Sequence, residues 1–270
     1  MDVLKETVMG PITRRKFAGV LGLVAAGGII KKGSAQSHAP KKALPTKAPT
    51  PAPDPSPVDR ATASPEELWQ DLMADNKRFA EGKMASRDVI AARAKTSPAQ
   101  HPYVMVLCCA DSRLSPELIF DQNLGDLFVV RTAGNVADEI ALGSLEYAVD
   151  HLGSRMLVVL GHERCGAVTT TLSGGEMPTV NLAALVKKIK PGIEKLKGLV
   201  QGDALTSLAV EANVHHSASD VIEGSPIIRH EVASGKFTVA KAVYDLSTGQ
   251  VRRIGGNFDN EDKGAASTHV

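Results

Sequence analysis

Three short apolar runs constrain this chain most: Val104 to Cys109, Leu127 to Arg131 and Met156 to Gly161. Unbroken apolar runs of this length, rich in Val and Leu, predict strands covered on both faces, as in parallel sheets. Between the last two lies a helical stretch, about Asp138 to His151, with Ile140, Leu142, Leu145, Tyr147, Ala148 and Val149, closing near Gly153. Further helices are expected from Asn181 to Lys197, interrupted at Pro191, and from Ala204 to about Val221. Phe237 to Leu246 predicts another strand, and Ser247-Thr248-Gly249 supplies a turn into Gln250 to Ile254. The fold class is therefore α/β: a mainly parallel central sheet with helices on its faces and an antiparallel C-terminal hairpin.

Ser64-Pro65-Glu66-Glu67 marks where order begins, with Ser as N-cap, Pro at the first helical position and Glu three residues after the cap. Leu68, Leu72 and Phe79, with Trp69 and Met73 beside them, give that helix its apolar stripe. One folded domain is expected over 64–257, followed by a polar tail at 258–270. Residues 36–63 carry Pro40, Pro45, Pro49, Pro51, Pro53, Pro55 and Pro57 and almost nothing to bury, which predicts a semi-rigid linker.

Residues 1–35 read as an export signal. Arg14 and Arg15 precede an uncharged stretch from Phe17 to Ile30, within the span of a signal core and short of the roughly 20 residues a membrane helix needs. The arginine pair resembles a twin-arginine signal, so the twin-arginine export machinery is an expected partner and the periplasm the expected location. An uncleaved anchor, or a chance arginine pair, is the alternative.

Charge and aromatic content narrow the function classes. With 31 basic and 30 acidic residues and 4% aromatics, the chain has neither the basic excess nor the stacking platform of a nucleic-acid binder. No G-x-G-x-x-G stands between a strand and a helix, which removes a dinucleotide-binding reading.

The chemistry gathers at the ends of two predicted strands. Cys109-Ala110-Asp111-Ser112-Arg113 follows one, and Gly161-His162-Glu163-Arg164-Cys165 follows another. In open parallel sheets ligand sites lie just beyond the carboxyl ends of strands, so both patterns point to one rim. Cys109, His162 and Cys165 form a Cys₂His set, the arrangement of catalytic zinc with one position open. A cysteine at a buried strand end can equally be a small core residue; the matching positions of Asp and Arg favour the metal. Alternation along the strand sends Cys108 into packing when Cys109 faces the metal. A carboxylate beside a metal-activated water can orient it toward an electrophile, and a guanidinium can hold that carboxylate in a bidentate grip. Asp111 and Arg113 suit those roles; a surface ion pair is the plain alternative.

C-x-D-x-R followed by H-x-x-C resembles the signature of the β-carbonic anhydrases, and the resemblance runs from about Leu68 to Gly255. It implies Zn²⁺ on Cys109, His162 and Cys165, with Asp111 and Arg113 as the catalytic dyad of a lyase that reversibly hydrates carbon dioxide to bicarbonate. It further implies substrate binding by Gln100, nine residues before Cys109, and an apolar pocket of the plant type lined by Phe128, Ala133 and Tyr147. The family usually has Val or Ile at the position of Ala133, so a wider pocket is expected. Val106 stands where bicarbonate-regulated members carry tryptophan, so that regulation is not expected. Val129 to Asn135 reads V-V-R-T-A-G-N where the family often has V-x-R-N-x-A-N. Family members are built on dimers, often paired into tetramers, so a homodimer or homotetramer is implied, with Gln100 and Tyr147 from different chains at one site.

Two rivals share these residues. One is a related hydrolase of carbon disulfide or carbonyl sulfide. The other is a non-catalytic zinc module closed by a fourth permanent ligand, for which Asp111 is the candidate. No histidine is marked as a proton shuttle, and His151, His215, His216 and His230 read as exposed helix or loop residues.

Overall fold

The computed structural model describes residues 58–196 and 198–255. The expected export signal, the linker up to residue 57 and the polar tail lie outside them. Helix α1 (Pro65–Ala80) opens with its predicted capping box: Glu67 N–H donates to Ser64 Oγ, and the Glu67 carboxylate accepts from Ser64 N–H at 2.7 Å. Glu66 and Glu67 in the first turn and Lys77 and Arg78 in the last complement the helix dipole. The helix is tied to the far end of the chain by buried Asn76, which donates to the carbonyls of Ile119 (3.0 Å) and Gly249 (2.9 Å) and accepts from Val251 N–H (2.8 Å).

A five-stranded sheet follows, built from β1 (Val104–Cys109), β2 (Leu127–Thr132), β3 (Met156–His162), β4 (Thr238–Tyr244) and β5 (Val251–Arg253). The spatial order is β2-β1-β3-β4-β5; the first four strands are parallel and β5 is antiparallel to β4. Strands β1 and β3, at the centre, are buried along their whole length, which explains their unbroken apolar sequences. Parallel pairing requires crossovers. The one from β2 to β3 runs through α4 (Glu139–Asp150), whose N-cap Asp138 accepts from Ala141 N–H at 2.8 Å. The path from β3 to β4 runs through α5 (Gly166–Ser173), α6 (Val180–Ile193), α7 (Gly202–Gly224) and α8 (Pro226–Ala233), with α7 lying against β3 and β4. Two further helices, α2 (Val89–Thr96) and the single turn α3 (Pro116–Ile119), flank β1.

The expected interruption at Pro191 is absent. Pro191 sits in the last turn of α6, where its missing N–H removes one bond just before the helix ends, and the chain passes into a 3₁₀ turn at Glu194–Leu196. His216, expected to be exposed, is half-buried; its Nε2–H donates to the Lys188 carbonyl at 3.1 Å in that same stretch of α6.

The end of the expected linker is packed against the domain. Ala63 is buried, and Arg60 pairs with Asp71 (3.0 Å) and Asp75 (3.3 Å) while its guanidinium lies 4.6 Å from the Tyr103 ring centroid. The same polar cluster includes Asp121, fully buried at its carboxylate, which accepts from Arg78 at 2.7 Å and from Arg87.

Candidate metal centre

Cys109 is the last residue of β1 and His162 the last of β3, so two adjacent parallel strands end side by side with a sulfur and an imidazole. Cys165 is brought back to them by the turn at Glu163 and Arg164, where Arg164 takes a left-handed conformation (φ 52°), and it forms the N-cap of α5. The three side chains are buried, and their ligand atoms lie within 4.8 Å of one another. The two sulfurs are 4.0 Å apart. On a tetrahedral zinc with bonds of about 2.3 Å, two sulfurs stand about 3.8 Å apart.

Histidine chemistry points the same way. His162 Nδ1–H donates to the Glu163 carbonyl at 2.9 Å, which leaves the lone pair on Nε2. That nitrogen is buried and has no hydrogen-bond partner among the described residues. A buried acceptor left bare is costly, and a metal beside the two sulfurs removes the cost. The residues therefore fit zinc, held by three protein ligands with a fourth position open.

The hydrogen bond shared by the two sulfurs holds Cys109 far below the ordinary thiol value, against the opposing effect of burial. The nearby His162 ring and the Gly134 N–H, 3.3 Å from Cys109 Sγ, act in the same direction. Cys165 is pushed strongly up by that same hydrogen bond and by burial. Cys108, on the other face of β1, is pushed up to about 12 by burial, as befits a packing residue.

Asp111 stands beside the three candidate ligands. Arg113 donates Nε–H to its Oδ1 at 2.9 Å and Nη2–H to its Oδ2 at 2.7 Å, and the Arg113 backbone N–H adds a bond to Oδ1 at 3.0 Å. Those side-chain bonds, foremost among several causes, hold the carboxyl well below the usual carboxylate range. Asp111 Oδ2 lies 3.9 Å from His162 Nε2. Arg131 donates to the backbone carbonyl of Asp111 at 2.7 Å and so fixes the loop from outside.

The expected substrate residues divide into separate groups. Ala133 lies half-buried in the 3₁₀ turn Ala133–Asn135, next to Gly134 and thus beside the sulfurs. Phe128 pairs in register with Met105, four residues short of the Cys109–Thr132 pair, or about 13 Å down the sheet. Its ring meets Tyr147 at 6.5 Å between centroids; Tyr147 is 45% exposed and stacks on His151 at 4.9 Å. Gln100 is exposed ahead of the amino end of β1, whereas Cys109 closes the carboxyl end. Roles for Arg131 and Gly134 were not legible in the sequence, although both stand in V-V-R-T-A-G-N. The glycine there signals a left-handed turn only once its φ of 70° is known.

The sequence model of the carbonic anhydrase family matches residues 104–251. The carbonic anhydrase of Mycolicibacterium smegmatis is 37% identical over 193 residues, covering 70% of this chain and 93% of that protein. Carbonic anhydrase 2 of Mycobacterium tuberculosis is 35% identical over 204 residues, covering 73% and 98%. Among solved structures, the Coccomyxa β-carbonic anhydrase in complex with acetazolamide superposes with a TM-score of 0.58 at 27% identity, covering 79% of this chain and 92% of that one.

Proposed function

The chain belongs to the β-class carbonic anhydrases, and we propose that Asp111 and Arg113 are its catalytic dyad, with a plant-type pocket completed by a second copy of the chain. The reaction converts carbon dioxide and water to bicarbonate and a proton, reversibly. Zinc, when bound, lowers the pKa of a water from about 15.7 to about 7 and so supplies a nucleophile near neutral pH. Cys109, His162 and Cys165 would hold it. Asp111, ionised and aimed by Arg113, would accept a hydrogen bond from that nucleophile and so orient its lone pair toward the substrate carbon. The observation that carries this reading is the unpartnered His162 Nε2 between two sulfurs and a carboxylate that Arg113 already occupies on both oxygens. An Asp111 so held is unsuited to closing the site as a fourth ligand.

Stopped-flow hydration of carbon dioxide by metal-analysed protein at pH 7–9, beside Cys165→Ala, tests the reading. Hydration that disappears with the zinc supports it. Stoichiometric zinc without hydration, even at high pH, overturns it in favour of a closed site or another substrate such as carbon disulfide.

The pocket of Gln100, Phe128, Ala133 and Tyr147 is assigned with the second copy because Phe128 and Tyr147 pair about 13 Å down the sheet from Cys109 of their own chain. Mixing inactive Cys165→Ala chains with inactive Gln100→Ala chains tests this directly. A hybrid assembly holds one site with all its parts, so activity returns on mixing; no recovery, with mixed assemblies demonstrated, refutes a shared site. Export by the twin-arginine route is supported by Arg14 and Arg15 ahead of the uncharged Phe17–Ile30 stretch. Retention of an Arg14→Lys, Arg15→Lys double variant in the cytoplasm, with the parent in the periplasm, is the expected result.

A further inference from the structure

The charge on a metal-bound thiolate depends on what donates hydrogen bonds to its sulfur. The turn Ala133–Asn135 supplies such a donor, the Gly134 N–H at 3.3 Å from Cys109 Sγ. That turn is not one the chain adopts unaided. Gly134 (φ 70°) and Asn135 (φ 47°) are consecutive left-handed residues, and a Cβ at Gly134 would come within 2.7 Å of Ile189 Cδ1.

Helix α7 holds the turn in place. Asn213, 1% exposed, donates Nδ2–H to the Gly134 carbonyl at 2.8 Å and, more weakly, to Asn135 Oδ1 at 3.5 Å. One turn further along α7, Ser217 Oγ accepts from Asn135 Nδ2 at 3.3 Å. The orientation of the Asn213 amide is informative. Its Oδ1 is buried with no hydrogen-bond partner among the described residues, a cost the fold accepts. Turned over, the amide would set that oxygen against the Gly134 carbonyl, acceptor facing acceptor.

We infer that Asn213 is a positioning residue for the metal centre: through Gly134 it keeps an N–H on Cys109 Sγ and thereby sets how strongly that thiolate donates to zinc. This rests on the reading that Cys109, His162 and Cys165 hold zinc. An N–H aimed at the sulfur draws charge from it, leaving the metal the stronger Lewis acid. Asn213 touches neither substrate nor metal; it acts two bonded contacts away.

The test uses the full chain, loaded with zinc or with Co²⁺ in its place. Asn213→Ala is expected to weaken zinc binding about 10- to 100-fold in competition with a chromophoric chelator, because the turn that fixes Cys109 Sγ loosens and the loss of a positioned ligand outweighs the stronger donation of a sulfur freed of its N–H. It should also move the sulfur-to-cobalt charge-transfer band to lower energy, because a thiolate without its donor is easier to oxidise. Val221→Ala, fully buried on the same helix two turns away, serves as the packing control and should lower the melting temperature while leaving both readouts alone. Should Asn213→Ala not fold, Asn213→Asp preserves the shape and replaces the amino donor with an oxygen, and the same shifts are expected. An Asn213 variant that melts lower but keeps the parent's zinc affinity and cobalt band overturns the inference. A parent chain that binds no zinc overturns the metal reading itself, which is a different result from an unshifted band.

Discussion

Arg113 occupies both carboxylate oxygens of Asp111, at 2.9 and 2.7 Å, while Asp111 Oδ2 remains 3.9 Å from His162 Nε2. The carboxylate is therefore close enough to serve the metal position and is restrained from entering it. Replacing Asp111 with Asn should keep stoichiometric zinc and slow hydration by about a hundredfold or more. Arg113→Ala should give a comparable loss, since it leaves the carboxylate unaimed. Stopped-flow rates together with metal analysis check both, and full activity in Asp111→Asn would remove its assigned role.

The same grip has a pH signature. Asp111 is held below its ordinary value of 3.8, first by the Arg113 side chain, so its ionised form is favoured in the folded state. Any stability it contributes is present above the unfolded value and is lost as pH falls through the lower folded one. Across the neutral range it stays charged, and the pH–rate profile should show no inflection from it above about pH 4. In Arg113→Ala an acid inflection should move up toward the ordinary carboxylate range; an unmoved acid limb would contradict the assignment.

Gly161 precedes His162 at the end of β3, and a Cβ there would collide with Val214 Cγ2 on α7. Its backbone is ordinary, so space alone demands glycine. Gly161→Ala should cost about 1–3 kcal/mol and weaken zinc binding by displacing His162. Adding Val214→Ala should recover part of that loss relative to the sum of the two single changes. Denaturant titration of the four proteins in the double-mutant cycle measures the coupling.

Arg164 is exposed and left-handed in the turn that returns Cys165 to the site. A residue at ease in that conformation should relieve the strain without touching a ligand. Arg164→Asn is expected to stabilise the protein by about 1 kcal/mol, a rise of about 2–4 °C in melting temperature, with hydration unchanged. A lower melting temperature would show that the arginine side chain contributes more than its backbone costs.

Much of this arrangement was legible in the sequence where burial was complete or chemistry local. Strands β1 and β3 are buried on both faces, so nothing polar interrupts them, and the Ser64–Glu67 box is a contact three residues long. Among the described residues, four helices went unread. Val89–Thr96 has no buried residue and hence no apolar stripe, and Pro116–Ile119 is a single turn. Helix α5 is built on Thr169, Thr170 and Thr171, poor helix formers on their own, and is held by burial of Val168 and Thr171. Helix α8 carries the same Ser-Pro start as α1, Ser225-Pro226, but over a shorter span. Within the site, the ligands were visible because their spacing is chemical, whereas Asn213 and Gly134 meet only through the fold, 79 residues apart.

The clasp of Arg60 on Asp71, Asp75 and the Tyr103 ring lies at the opposite pole of the sheet from the metal ligands. Tyr103 immediately precedes β1, so the upstream chain joins the body at the amino ends of the strands, while Cys109 and His162 lie at their carboxyl ends. Six residues of β1 separate the two poles by about 20 Å. Whatever loosens that clasp therefore acts on the pole of the sheet remote from the ligands, and the two ends of one strand carry separate burdens: holding the entering chain, and presenting sulfur and imidazole.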